Sequence, residues 1–414
     1  MIAYDKFTLD NGLRVIVHED QSTPLVAVNI LYDVGSRDES PDMTGFAHLF
    51  EHLMFSGSEN VKDFDDIIQR AGGDCNAFTN NDITNFYTIL PTQNIETALY
   101  LESDRMMSLK INQHSLDVQK KVVVEEFKEN CANTPYGDAW HLISNLAYKK
   151  HPYNWPTIGK TTEHIEYAKL EDVQNFFKKH YAPANAILVL SGNISETKAK
   201  ALSQKWFADI PSGQAYQRKL SVEPKQKEIQ HLVTKAKVPM DAVYMCFHVA
   251  ERKHKDYYAT DLLSDVICNG KSSRFYQKFI KEKKMFSYID AYITGSSDPG
   301  LLVIEGKLSE GVNAKEAIEE IWTELDKIKS KPIADQELQK YKNKVESSLL
   351  FSESSILNKA FNLAYFESIG EIGLINNEVD IYANISSVEI HRMANEILIP
   401  ENASILVYEK QDAN

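Results

Sequence analysis

Cysteine is scarce in this chain, and the few present stand apart. Cys75, Cys131, Cys246 and Cys268 form no C-x-x-C pair. That excludes a disulfide frame and a thiolate metal site, and reads as reduced thiols in a reducing compartment. No apolar run approaches the roughly 20 residues of a membrane-spanning helix. The opening residues, MIAYDKFTLDNG, lack the basic start and apolar core of a signal peptide. Taken as the native start, they place the protein in the cytoplasm, with no membrane partner. An excess of basic residues is also missing. The 45 Lys and Arg against 59 Asp and Glu leave a net charge of −14, which argues against a nucleic-acid partner. Such a charge is compatible with basic peptide substrates, although its usual role is solubility.

What is present is ordinary for a soluble globular protein: 43% hydrophobic and 25% charged residues. A length of 414 residues exceeds what one core serves, so two or more domains are expected. The stretch 44–57, TGFAHLFEHLMFSG, reads as a short helix with Thr44 as N-cap and Gly57 as stop. Phe46, Leu49, Phe50, Leu53, Met54 and Phe55 cover most of its circumference, which predicts burial. His48, Glu51 and His52 interrupt that coat. Spacings of three and four residues put them on one face, a turn apart. A buried carboxylate and two imidazoles need partners, and a divalent metal supplies one. Two His at i, i+4 can close on a single zinc ion with Glu51 beside it. The plainer alternative is a pair of core histidines satisfied by backbone carbonyls.

The chain opens with a strand, an Asn11-Gly12 turn and a second strand, followed by a third over 24–36. Residues 61–73 give an amphipathic helix ending at two glycines. Residues 74–91 give two strands around the polar turn Asn80, Asn81 and Asp82. Helical patterns follow over 93–109, 116–130, 140–148 and 170–180, and 185–192 reads as a buried strand. The polar stretch 211–228 is the linker candidate.

Beyond it the pattern returns. Residues 261–279 resemble the His helix and its sequel, with Gly270 in the place of Gly57. The strand pair at 74–91 is echoed by SYIDAYITGSSDPGLLVIEG, the helix at 116–130 by 337–350, and PANAILVLSG by PENASILVYE. A repeat of nearly half the chain length implies two domains of one fold. The expected division is 1–212, a linker over 213–228, and 229–414. Opposite His48, Glu51 and His52 the second copy offers Asp261, Ser264 and Asp265. With no imidazole left it cannot build the same zinc site, which fits one catalytic and one non-catalytic half.

A catalytic zinc usually takes three protein ligands, and the helix at 116–130 offers Glu125, Glu126 and Glu129. Val122 and Val123 mark an inward face that Glu126 shares at i+3 and i+4. Glu125 points about 100° away. Glu126 is the first choice and Glu129, one turn on, the second.

HLFEH followed about seventy residues later by VVVEEF resembles the inverted-zincin (HxxEH, M16-type) metallopeptidases, the family of the mitochondrial processing peptidase, insulin-degrading enzyme and pitrilysin. The resemblance extends from LDNGLRV through the repeated second half. It implies an α+β chain of two homologous domains, each a mostly antiparallel sheet packed with helices. It also implies one Zn2+ per chain and hydrolysis of peptides by a zinc metalloendopeptidase. Carried over, His48, His52 and Glu126 are the ligands and Glu51 is the general base. The gap from His52 to Glu126 is slightly shorter than the family usually shows, which keeps Glu129 open. The family's second acidic residue, seven positions before the ligand, is here Gln119. Its Arg and Tyr that hold the substrate carbonyl correspond to Lys281 and Tyr288; Lys offers the charge without the planar fork. GGDCNAFTNND resembles the family's edge strand, which takes peptide as an added strand, so Asn76, Ala77 and Phe78 are expected to line substrate. Long family members enclose a chamber with four such domains. Two domains imply a homodimer, with a heterodimer open if a related subunit supplies the Arg. Some members have lost catalysis and serve as assembly subunits, but eroded ligands would then be expected, and here all are present.

Overall fold

The computed structural model describes residues 1–214 and 216–411; Ala215, within the expected linker, and the last three residues lie outside them. The strands are β1 (Asp5–Thr8), β2 (Arg14–Glu19), β3 (Leu25–Tyr32), β4 (Asp74–Thr79), β5 (Thr84–Pro91) and β6 (Ala186–Gly192), then β7 (Gln230–Ala236), β8 (Ala242–Val249), β9 (Phe286–Ile293), β10 (Gly300–Leu308) and β11 (Ala403–Lys410). They form one sheet of order β1-β2-β6-β3-β5-β4 and a second of order β7-β11-β8-β10-β9. In the first, β2 and β6 are parallel and the other pairs antiparallel. In the second, β7 and β11 are parallel and the rest antiparallel. From β2 onward the first order maps onto the second strand for strand, so the repeat in the sequence is a repeat of topology. The fold is α+β and duplicated.

The central strands are mostly apolar because both faces of each sheet are covered, and the buried Asn29 of β3 pairs with Asn85 of β5. Along β3, Val26, Val28, Ile30 and Tyr32 enter one core, while Ala27 and Leu31 enter another. The strand β6 divides likewise, Leu188 and Leu190 to one side and Ile187 and Val189 to the other. The first of these cores receives Phe46, Leu49 and Phe50 together with Leu99 and Val173. Fully burying a side chain of this kind contributes roughly 1.5–3 kcal/mol.

The second core is closed by a helix from far along the chain. Ile356–Ser368 sets Ala360, Leu363 and Ala364 against Ile16, Leu31 and Val189, and its Lys359 reaches Asp20 at 2.7 Å. The second sheet is covered in a reciprocal way. Ala139–Ala147, from the first half of the sequence, sets Ala139, Ile143 and Ala147 against Tyr244, Val303 and Leu406. Compact packing therefore gathers Met1–Lys128, Trp155–Ser221 and Leu350–Asn377 into one unit, and Glu129–Asn154, Val222–Leu349 and Glu378–Asn414 into the other. The expected boundary at 213–228 separates the strands of one sheet from those of the other, while the packing units cross it. Part of that polar stretch is held down. Arg218 donates from Nε to Asp38 Oδ1 at 2.7 Å and from Nη2 to Asp33 Oδ1 at 2.9 Å.

Candidate metal centre

The His helix spans Phe46–Leu53. Its apolar side is fixed by aromatic stacking: Phe50 lies against Phe176 and Tyr181 with ring centroids 5.4 and 4.9 Å apart. Its start differs from the sequence expectation. The N-cap is Gly45, at φ +88°, where an added Cβ would stand 2.8 Å from the Ile158 carbonyl oxygen. Thr44 is turned away, its Oγ1 lying 2.8 Å from His164 Nδ1 and accepting from the Lys160 amide at 2.8 Å. The first-turn amides are served instead by Glu39, which accepts from Gly45 N at 2.9 Å, Ala47 N at 2.8 Å and Trp155 Nε1 at 3.1 Å. Burial pushes the Glu39 carboxyl up to about 8, against the pull of these donors. Sequence reasoning missed Glu39, because Thr44 beside the helix start already offers a side-chain acceptor.

On the polar face, His48 Nε2 and His52 Nε2 lie 3.4 Å apart. Glu126 Oε2 stands 3.2 Å from His52 Nε2 and 3.6 Å from His48 Nε2. A tetrahedral ion with bonds of about 2.0–2.2 Å separates its ligand atoms by about 3.3–3.6 Å, so the donor set fits zinc in both chemistry and spacing. Among the described residues, no other three His, Cys, Asp or Glu side chains converge in this way. Burial holds His48 down to about 4, opposed by Glu126, so this imidazole is neutral near pH 7 and its lone pair is available. Its buried Nδ1 has no hydrogen-bond partner among the described residues. The hydrogen bond from His52, with help from His48, holds Glu126 below the usual carboxylate range against partial burial.

Glu126 is supplied by the helix Gln113–Phe127. The face that aims it is the expected one in Val123 but not in Val122. Val122 is 44% exposed, whereas Val123 and Val124 are buried, so Val123, three residues before Glu126, sets the inward direction. Glu129 falls in the π-turn Lys128–Ala132 beyond the helix end and is exposed. Gln119 is partly buried on the same helix.

Glu51 is one residue from His52 and partly buried, and that burial raises its pKa. Thr79 Oγ1 donates to Glu51 Oε2 at 2.6 Å. Thr79 ends β4, the terminal strand in the sheet order. The same strand carries Asn76, Ala77 and Phe78, paired on one side with Tyr87, Phe86 and Asn85 of β5. Asn76 Oδ1 accepts from the Ala77 amide at 2.8 Å, and Phe78 packs on Phe361 with centroids 5.3 Å apart. Lys281 and Tyr288 belong to the other packing unit, in the turn Tyr276–Glu282 and in β9. Tyr288 is 43% exposed and donates to Glu305 Oε1 at 3.1 Å. Desolvation and the nearby Glu305 charge push its hydroxyl above the usual range.

A duplicated α+β fold bearing one His/His/Glu cluster defines a zinc-peptidase class, and comparison with known proteins agrees. Residues 14–161 match the insulinase (peptidase family M16) model, and residues 167–345 match the peptidase M16 inactive domain. Zinc protease PqqE of Helicobacter pylori is 30% identical over 399 residues, covering 95% of this chain and 90% of that protein. The uncharacterized zinc protease YmxG of Bacillus subtilis is 26% identical over 357 residues, covering 86% and 85%. A crystal structure of a protease from Helicobacter pylori superposes with a TM-score of 0.93 at 27% identity, over 99% of this chain and 100% of that one. Pitrilysin shares the fold, with a TM-score of 0.78 at 17% identity, over 99% of this chain and 45% of pitrilysin. The chain belongs to the M16 family of zinc peptidases. No helix among its described residues is long and apolar enough to cross a membrane.

Proposed function

We propose that this chain is a zinc metalloendopeptidase hydrolysing peptides or short unfolded polypeptides within a closed chamber, with His48, His52 and Glu126 holding one Zn2+. The observation that carries the reading is the convergence of three ligand atoms, 3.2–3.6 Å apart, on a helix pair whose partly buried Glu51 is held by Thr79 at the end of a terminal strand. When bound, the ion supplies Lewis acidity and makes water a usable nucleophile near neutral pH. Glu51 takes the proton of the attacking water on the oxygen that Thr79 leaves free, then returns it to the leaving amine. Burial, by raising the Glu51 pKa, makes it a better proton acceptor for this exchange.

Peptide adds to the outer edge of β4, with Asn76, Ala77 and Phe78 along it. Lys281 and Tyr288 are proposed to steady the carbonyl oxygen as charge develops. On this reading residues 1–212 form the catalytic domain, and 229–414 form the homologous domain that walls the chamber. A second copy of the chain completes it. Lys281, standing where the family usually has Arg, keeps one alternative open: a partner-dependent subunit completed by a related chain that supplies the Arg.

The test is metal analysis alongside a quenched-peptide library, with and without chelator, on wild type and Glu51→Gln. About one zinc per chain is expected in both proteins, with chelator-sensitive cleavage in the wild type alone. Absence of zinc and of cleavage would support the assembly-subunit reading. An unimpaired Glu51→Gln would remove Glu51 from the mechanism. Sedimentation with a parallel assay addresses the pairing, since an inactive monomer would defeat the homodimer.

A further inference from the structure

We infer that Thr79 is the positioning residue that orients Glu51 and ties it to the strand offered to substrate, an inference that rests on the metallopeptidase reading above. Thr79 is the last residue of β4 and pairs with Thr84 of β5. Its hydroxyl donates to Glu51 Oε2 at 2.6 Å. A glutamate side chain ordered only by solvent samples several rotamers. The Thr79 hydroxyl instead holds Oε2 and leaves Oε1 to exchange the proton.

The support behind Thr79 is rigid. In the turn that follows, Asn80 Oδ1 accepts from the amides of Asp82 at 2.7 Å and Ile83 at 2.9 Å. The same turn is clasped from outside, where Ser36 N donates to the Asn80 carbonyl at 3.2 Å and Arg37 N to the Asn81 carbonyl at 3.0 Å. Gly35 permits that clasp, because a Cβ there would lie 2.4 Å from the Asn81 backbone. Strand alternation turns Cys75, Ala77 and Thr79 to one face, and Asn76 and Phe78 to the other. Cys75 and Ala77 pack against the core that holds the His helix, while Phe78 packs against the opposite core. A peptide added along β4 is therefore in register with the residue that grips the base, through one continuous segment of backbone. The His helix is itself seated by Phe46, Leu49, Phe50 and Leu53, so loss of the Thr79 hydroxyl leaves its seat intact.

The test compares Thr79→Val, which keeps the shape and drops the hydroxyl, with Thr79→Ser, which keeps the hydroxyl. Zinc content and steady-state cleavage of a quenched peptide are measured for each. Thr79→Val is expected to retain zinc and a KM within about twofold of wild type while kcat falls roughly 10- to 100-fold. Thr79→Ser is expected to recover to within about threefold of wild type. The inference is overturned by any of four results: a Thr79→Val kcat within about twofold of wild type, a Thr79→Ser as slow as Thr79→Val, a loss lying wholly in KM, or a loss of zinc. If Thr79→Val does not fold, Thr79→Ala against Thr79→Ser asks the same question. The wild type and Glu51→Gln separate the two levels: a wild type without zinc and without chelator-sensitive cleavage defeats the metallopeptidase reading, whereas an active wild type and a dead Glu51→Gln beside a normal Thr79→Val defeat only the role of Thr79.

Discussion

The His helix and the helix Tyr257–Cys268 hold corresponding places beside corresponding sheets, but their polar residues behave in opposite ways. On the His helix, two imidazoles meet the Glu126 carboxylate at a single point. On Tyr257–Cys268, Asp261, Ser264 and Asp265 each have a hydrogen-bond partner of their own. Tyr382 Oη donates to Asp261 Oδ2 at 2.6 Å, Ser264 Oγ donates to the Asp261 carbonyl at 2.8 Å, and Asn269 donates to Asp265. His48, Glu51 and His52 are partly buried, and Ser264 and Asp265 are buried. The two copies differ in whether each polar group meets its own separate partner or several converge on one point. A metal site can thus be lost from a duplicated domain while the same positions stay polar and the fold is kept.

The sharpest way to break this contrast is to remove one imidazole. His52→Ala is expected to lose zinc and all chelator-sensitive hydrolysis, whereas Asp265→Ala should leave metal content unchanged; inductively coupled plasma analysis of both reads the outcome. Next is the choice of carboxylate. Glu126→Gln should weaken zinc binding by more than the roughly 10- to 100-fold typical of a lost supporting residue, while Glu129→Gln leaves it alone. Competitive chelator titration decides, and equal losses would return Glu129 to the ligand set.

A smaller effect separates the copies by pH. Burial pushes the Asp265 carboxyl up from an ordinary 3.8 to about 6. Over that interval the folded chain keeps the proton that the unfolded chain has released, so stability falls as pH rises through it and levels off above it. Asp265→Asn should abolish that fall, worth at most about 3 kcal/mol, in urea melts compared at pH 4 and pH 7. Parallel curves for variant and wild type would show that the burial is not felt. The smallest change is expected from Lys281→Arg, which restores the planar fork the family carries. A gain in kcat/KM of about threefold or less is anticipated, and a complete loss would show that Lys281 is specifically required.

How much of this was legible beforehand depended on the range of the interaction. His48, Glu51 and His52 could be brought to one face because helical spacing is a local property, and the repeat could be read because topology repeated with it. Choosing Glu126 rested partly on Val122, which is exposed; the inward valines are Val123 and Val124. An error of one position on a helix rotates the face by about 100°, and here the chosen carboxylate stayed within reach. The cap of the His helix was misread because its acceptor comes from Glu39 in the preceding loop, and propensity rules favour the nearest Thr. The partners of Ala139–Ala147 and Ile356–Ser368 could not be read at all. Periodicity reveals that a helix has an apolar face, and nothing in that pattern names the sheet it will cover.

Those two helices also decide where the chain can be divided. Severed within 213–228, the leading fragment would keep Ile16, Ala27, Leu31, Ile187 and Val189 on its sheet but lose Ile356–Ser368, the cover over them. The trailing fragment would likewise lose Ala139–Ala147 from above Tyr244 and Leu406. Each would present a bare apolar sheet face, a surface prone to aggregation. The duplicated chain cannot be cut between its two sheets without stripping a covering helix from each.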